Sequence, residues 1–181
     1  MINEDREDYV KSREEFRFIK GVRPALKKIH QAGIPIAVIT NQSAIGRKII
    51  SETELALIHL NMIRDIERSG GDIFKIYYCP HHPGDRCRCR KPHPGLLKKA
   101  AREMNIDLKR SMFIGDNLKD IQTGYRMGCR TVLVQTGQGK KSLSMLLTGE
   151  GEKWSPDFIC ESLVSAVPLI LKFFQTRNPG E

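Results

Sequence analysis

Long apolar runs are missing from this chain. Nothing in it approaches the ~20 residues of a membrane-spanning helix, so no contact with a membrane is expected. Aromatic residues are sparse, at 7%. They form no RNP-like cluster, and no single helix carries an obvious basic stripe, so nucleic acid is not an expected partner. Internal repeats, low-complexity tracts and a second-domain boundary are also absent, and one domain over residues 1–181 is expected. The opening stretch, MINEDREDYVKSREEF, is charged and lacks the apolar segment of a secretory signal. A cytoplasmic protein follows. Cysteines are few and unevenly placed: three of the five fall within residues 79–89. That distribution excludes a disulfide framework. Cys129 and Cys160 stand alone in apolar settings and read as small core residues.

What is present is enough for one real core: 181 residues, 40% of them hydrophobic, with a mean hydropathy of −0.37. The net charge is +9. It is either a basic solvated surface or the footprint of an anionic partner such as a phosphorylated metabolite, and long-range charge alone does not choose.

Short, almost wholly apolar runs at 34–40, 73–78, 111–115 and 131–135 read as strands covered on both faces, with 157–161 a weaker fifth. Helices fall between them. One covers 22–32, with Pro24 in its first turn and Gly33 after it. Ser51 and Glu54 form the S-x-x-E capping box of another, running to Arg68. Leu96, Leu97, Ala100, Ala101 and Met104 share one face of a third. Further helices are predicted at 118–127 and at 162–174, where Pro168 marks a kink or a later start. Residues 137–156, rich in Gly and Lys, read as a mobile surface loop with a short helix. The β-α alternation predicts an α/β, Rossmann-like parallel sheet with helices on both faces. In such a sheet the site lies beyond the carboxyl ends of the strands.

Three polar clusters fall at those ends. Thr40-Asn41-Gln42-Ser43 offers a hydroxyl, amides and backbone N–H groups that suit phosphate oxygens; the same residues also serve ordinary turn chemistry. In GDNLKD, Asp116 emerges where a hard cation such as Mg2+ could bind a carboxylate, with Asp120 four residues on. The alternative is a helix cap at Asp116 or Asn117 with Asp120 solvated. The third cluster is YYCPHHPGDRCRCRKPHPG. Cys79, His81, Cys87 and Cys89 are spaced as a closed, structural zinc site, with His82 the second choice for the histidine ligand. Arg90 and Lys91 follow at once. They are either a rigidly presented pair of cations, able to neutralise charge on a transferring phosphoryl group, or a solvated basic turn.

Taken together, VITNQSAIGR, YYCPHHP…CRCRKPHPG, FIGDNLKDIQTG and TVLVQTG resemble the haloacid dehalogenase-like phosphatases over nearly all of the chain to about residue 170. They are most similar to the subgroup acting on heptose bisphosphate and histidinol phosphate. The short metal loop, in place of a bulky cap, and the CPHHP and RKPHPG wording lean toward the heptose substrate. The resemblance implies Mg2+-dependent hydrolysis of a small sugar-phosphate monoester, in a monomer that also holds structural Zn2+. It makes Thr40 the phosphate-binding hydroxyl, with Asn41, Gln42 and Ser43 completing the substrate loop. Lys91 becomes the motif cation, Arg90 and Asn117 substrate contacts, Asp116 the Mg2+ ligand and Asp120 its support. Asp5 to Tyr9 would border the substrate.

One departure accompanies the resemblance. The family opens with an apolar central strand ending in Asp-x-Asp, which supplies the nucleophile and the general acid. This sequence opens at Met1-Ile2-Asn3, without either aspartate. The expectation is a chain whose true start lies upstream of Met1. The alternative is a catalytically inactive phosphosugar-binding relative.

Overall fold

The computed structural model describes residues 1–149 and 154–176. It contains two compact units, Ile2–Arg90 and Met1 with Lys91–Glu181.

The first unit runs α1 (Val22–Gln31), β1 (Ala37–Asn41), α2 (Ser43–Gly46), α3 (Glu52–Arg68) and β2 (Lys75–Cys79). Helix α1 buries Val22, Ala25, Leu26 and Ile29, the one-sided stripe its apolar spacing predicts. The Ser51–Glu54 capping box forms as expected and opens α3, which buries Leu55, Ile58, Met62 and Ile66. Strands β1 and β2 pair in parallel, with Asn41 opposite Cys79. The segments that follow Thr40 and Cys79 therefore leave the same end of this sheet.

Two local expectations shift. Strand β1 starts at Ala37, not at residue 34. Pro35 has no N–H to give a ladder, and this delays pairing. Helix α2 was not foreseen, because four residues are too few to show a period. It rests on Ala44, which joins Ile50 and Leu55 in a small buried cluster under Tyr9, Ile45 and Tyr78.

The second unit runs α4 (Gly95–Met104), a 3-10 turn at Leu108–Arg110, β3 (Met112–Gly115), α5 (Leu118–Arg126), β4 (Arg130–Val134), α6 (Gly139–Leu147), β5 (Phe158–Cys160) and α7 (Leu163–Gln175). Its sheet is parallel in the order β3-β4-β5. Helix α5 packs on β3 and β4, while α6 and α7 also reach β4. Thr131, Val132, Leu133 and Val134 are fully buried. Each such aliphatic side chain contributes about 2 kcal/mol by leaving water.

Helix α7 starts at a Ser162–Ser165 box, so Pro168 lies inside it and does not mark a later start. Cys129 is buried as predicted, but Cys160 is only half-buried, because β5 is an edge strand. The expected loop at 137–156 holds the nine-residue α6; its part at 150–153 lies outside the described residues. None of the described helices is long and apolar enough to cross a membrane.

The described strands form two ladders rather than one sheet. Strands β1 and β3 each bond to a single neighbouring strand.

Candidate active site and metal centre

The metal loop begins where β2 ends. The Sγ atom of Cys79 lies 3.4 Å from Nδ1 of His81, 3.7 Å from Sγ of Cys87 and 3.2 Å from Sγ of Cys89. Cys89 is 3.2 Å from the same ring nitrogen and 3.6 Å from Cys87. A tetrahedral zinc with ~2.3 Å bonds to sulfur separates its sulfurs by about 3.8 Å. The four donor atoms therefore enclose a space of the right size, and all lie within 4.8 Å of one another. A site filled by four protein donors is structural. Burial pushes the Cys79 thiol up and the Cys89 thiol up to about 12. A bound divalent cation reverses that preference, because thiolate is the ligand form.

His81 is the histidine of the cluster. His82 is engaged elsewhere: its Nδ1 accepts from the Gly84 N–H at 3.0 Å, and its own N–H donates to Asp85 at 2.8 Å. The guanidinium of Arg90 reaches back to the His81 carbonyl at 3.4 Å.

The Thr40 loop is fastened to this metal loop. The Gln42 N–H donates to the Cys79 carbonyl and the Gly46 N–H to the Pro80 carbonyl, each at 2.8 Å. A Cβ on Gly46 would meet the His82 nitrogen at 2.5 Å, so only glycine allows this approach. Gln42 Nε2 donates to Thr40 Oγ1 at 3.3 Å. The Tyr9 hydroxyl lies 3.4 Å from the Ser43 hydroxyl. Asp5 is exposed on the segment leading to Tyr9. The first unit thus brings Thr40, Gln42, Ser43 and Tyr9 together around the turn after β1, with Asn41 ending that strand.

The second unit holds Lys91, Asp116, Asn117 and Asp120. Asp116 follows β3 directly. Asn117, not Asp116, caps α5, and it forms a capping box with Asp120. Asp120 is buried rather than solvated, at 6% exposure. Its Oδ2 accepts from the Asn117 N–H at 3.1 Å, and its Oδ1 pairs with Lys91 Nζ at 2.6 Å. A Cβ on Gly115 would collide with the Asp120 side chain at 2.2 Å, so this glycine is what lets Asp120 fold beneath the strand end.

Sequence reasoning missed the groups that hold Asp116. The Gln138 N–H donates to Asp116 Oδ2 at 3.1 Å, and the Ser142 hydroxyl donates to the Asp116 carbonyl at 3.0 Å. The Met1 amino group is 3.6 Å from Oδ2. The available signal was Gly137 and Gly139 directly after a strand, a turn that brings the start of α6 against Asp116.

A family model described as HAD-hyrolase-like (Hydrolase_like) matches residues 88–166. A protein of Neisseria meningitidis named D-glycero-beta-D-manno-heptose-1,7-bisphosphate 7-phosphatase is 41% identical over 144 residues, covering 80% of this chain and 77% of that one. A protein of Bordetella bronchiseptica with the same name is 35% identical over 172 residues, covering 95% and 93%. The crystal structure of D,D-heptose 1,7-bisphosphate phosphatase from B. bronchiseptica, complexed with magnesium and phosphate, superposes with a TM-score of 0.87 at 34% identity, covering 94% of this chain and 93% of that one.

The chain belongs to the haloacid dehalogenase-like (HAD-like) hydrolases. The matched stretch of this HAD-like chain takes in Arg90, Lys91, Asp116, Asn117 and Asp120.

Proposed function

We propose that this chain is a Mg2+-dependent phosphatase that removes the 7-phosphate of D-glycero-β-D-manno-heptose 1,7-bisphosphate. This reaction belongs to the making of nucleotide-activated heptose. One observation carries the reading: an anchored lysine, Lys91, is set on the buried Asp120 beside the strand-end carboxylate Asp116, in a chain whose 0.87 TM-score neighbour is a magnesium and phosphate complex of a heptose-bisphosphate phosphatase.

The residues divide the work as follows. The Thr40 hydroxyl and the turn through Asn41, Gln42 and Ser43 take phosphate oxygens. Lys91, fixed by Asp120, neutralises charge on the transferring phosphoryl group without reorganising. Arg90, Asn117, Asp5 and Tyr9 contact the sugar. Asp116 would hold Mg2+, with Asp120 supporting from behind through Lys91 and the cap. When bound, the ion polarises a phosphoryl oxygen as a Lewis acid. The zinc centre acts on structure alone, by stiffening the loop on which Thr40 and Arg90 depend. A cytoplasmic monomer with no nucleic-acid partner goes with this reading.

The phosphoryl-accepting aspartate is not within residues 1–181. The Met1 amino nitrogen stands 3.6 Å from Asp116. An Asp-x-Asp segment ahead of Met1 would therefore reach the chain beside the proposed Mg2+ carboxylate. The intact mass of the protein from its own cells, taken with phosphate release in Mg2+ or EDTA, tests the account. A native chain with Asp-x-Asp should release phosphate from the heptose bisphosphate faster than from histidinol phosphate, and only with Mg2+. The second reading is a phosphosugar-binding relative. A native mass matching Met1, with sugar-phosphate binding and no release, would establish it.

A further inference from the structure

Helix α5 grips the Lys91–Pro92 turn at two points, and the mechanism above uses only the first. Asp120 holds the Lys91 ammonium. Nearly two turns further along the same helix, the Arg126 Nη1 donates to the Pro92 carbonyl at 3.0 Å. Arg126 is not a loose surface cation. Its guanidinium carbon lies 5.3 Å from the centre of the Trp154 ring. Once the Gln122 amide is oriented by its partners, its oxygen accepts from Arg126 Nη2 and from Trp154 Nε1, each at 3.1 Å. Tyr125 packs edge-to-face with the tryptophan, ring centres 5.2 Å apart. One planar fork is thus stacked on an indole, bonded to an amide of its own helix and bonded to the backbone one residue from Lys91.

We propose that Arg126, clamped by Trp154 and Gln122, is a positioning residue that fixes the Lys91–Pro92 turn, so that Lys91 presents its ammonium in one place to the substrate phosphoryl group. This deepens the phosphatase reading and rests on the role it gives Lys91. The geometry explains why two holds are needed. Asp120 pins the tip of a four-carbon side chain, and a pinned tip on a mobile backbone still sweeps an arc. Arg126 removes the motion of the backbone end.

The test reads Lys91 directly and needs no turnover. Lysines of the full chain are acetylated under limiting reagent, and each site is quantified by peptide mass spectrometry. Wild type is compared with Arg126→Ala, Arg126→Lys and Trp154→Phe. Lys91, whose side chain is 13% exposed, should label slowly beside Lys99 at 56%. Arg126→Ala should raise Lys91 labelling severalfold with Lys99 unchanged. Arg126→Lys, which keeps a donor for Pro92, should restore part of the protection. Trp154 is the chain's single tryptophan, so its emission should shift in Arg126→Ala and report whether the clamp has opened. If the emission shifts and Lys91 labels as in wild type, the proposal is overturned. In protein competent for turnover, Arg126→Ala should lower kcat several-fold more than it raises KM for the heptose bisphosphate. A labelling change in protein that carries the Asp-x-Asp segment and still releases no phosphate would leave the clamp standing and remove the phosphatase reading instead.

Discussion

The two units secure their site residues by different means. In the first, β1 is half-buried along its whole length and has one neighbouring strand. The turn after it is held by backbone bonds to the loop on which Cys79, His81, Cys87 and Cys89 cluster. In the second, β4 has neighbours on both sides and is fully buried from Thr131 to Val134. Its site residues are held by interlocked charges and caps: Lys91 on Asp120, Asp120 on the Asn117 N–H, Asp116 on the Gln138 N–H. The less covered sheet is followed by a Cys/His cluster, whereas the well-covered one is followed by buried polar contacts. Both strands are apolar in sequence. What separates them is the number of strands beside them.

If that contrast is right, the largest effect comes from taking away the metal. Structural zinc is worth on the order of 10 kcal/mol in small metal-dependent folds. Chelation, or Cys87→Ser, should therefore lower the melting temperature sharply. Hydrogen exchange should quicken at residues 37–50 and 75–90 and stay slow at 130–134. Elemental analysis finding no zinc, with an unchanged melting temperature, would abolish the contrast.

Asp120→Asn comes next. It leaves the cap but removes the charge that pairs with Lys91, and breaking a buried ion pair costs about 3 kcal/mol. Urea melts should show the loss, confined to the second unit's probes. An Asp120→Asn variant as stable as wild type, beside a destabilised Asp120→Ala, would mean that the charge is irrelevant and the packing is everything.

A smaller effect separates the units by pH. Burial against Tyr78 in the first unit lowers the His59 pKa to about 4. The folded form therefore keeps this ring neutral while the unfolded chain, with a histidine pKa of about 6.5, takes up a proton. Stability should be intact above pH 6.5 and fall as pH drops from there to about 4. The slope should disappear in His59→Gln, and a slope that survives the substitution assigns it elsewhere.

The smallest belongs to Asp157. It accepts from the Thr131 N–H and hydroxyl at 2.8 Å and from Arg130 at 2.6 Å, tying β4 to the start of β5. Burial raises its pKa, but the Thr131 and Arg130 bonds outweigh this, and the net shift is downward. Its contribution is present above the ordinary carboxylate pKa and is lost as pH falls through the lowered value. Partly exposed as it is, Asp157→Asn should cost about 1 kcal/mol at neutral pH and nothing at the acid end.

Features encoded by near neighbours were legible in the sequence. The Ser51–Glu54 box and the cluster of Cys79, His81, Cys87 and Cys89 each join residues no more than ten positions apart. The start of β1 was misread because Pro35 interrupts an apolar run that otherwise looks continuous. Helix α2 left no periodic trace. The contacts that fix the site residues in place were invisible for another reason. Gln138 and Ser142 reach Asp116 across 22 and 26 residues, and Arg126 reaches Pro92 across 34. A backbone N–H or carbonyl carries no residue signature, so no pattern of side chains announces such pairs.

The central claim is the reaction itself. Phosphorus NMR of D-glycero-β-D-manno-heptose 1,7-bisphosphate, incubated with Mg2+ and the protein purified from its own cells, tests it most directly. The account predicts loss of the 7-phosphate resonance, growth of inorganic phosphate and an intact anomeric 1-phosphate. Unchanged spectra, or loss of the 1-phosphate first, would contradict it.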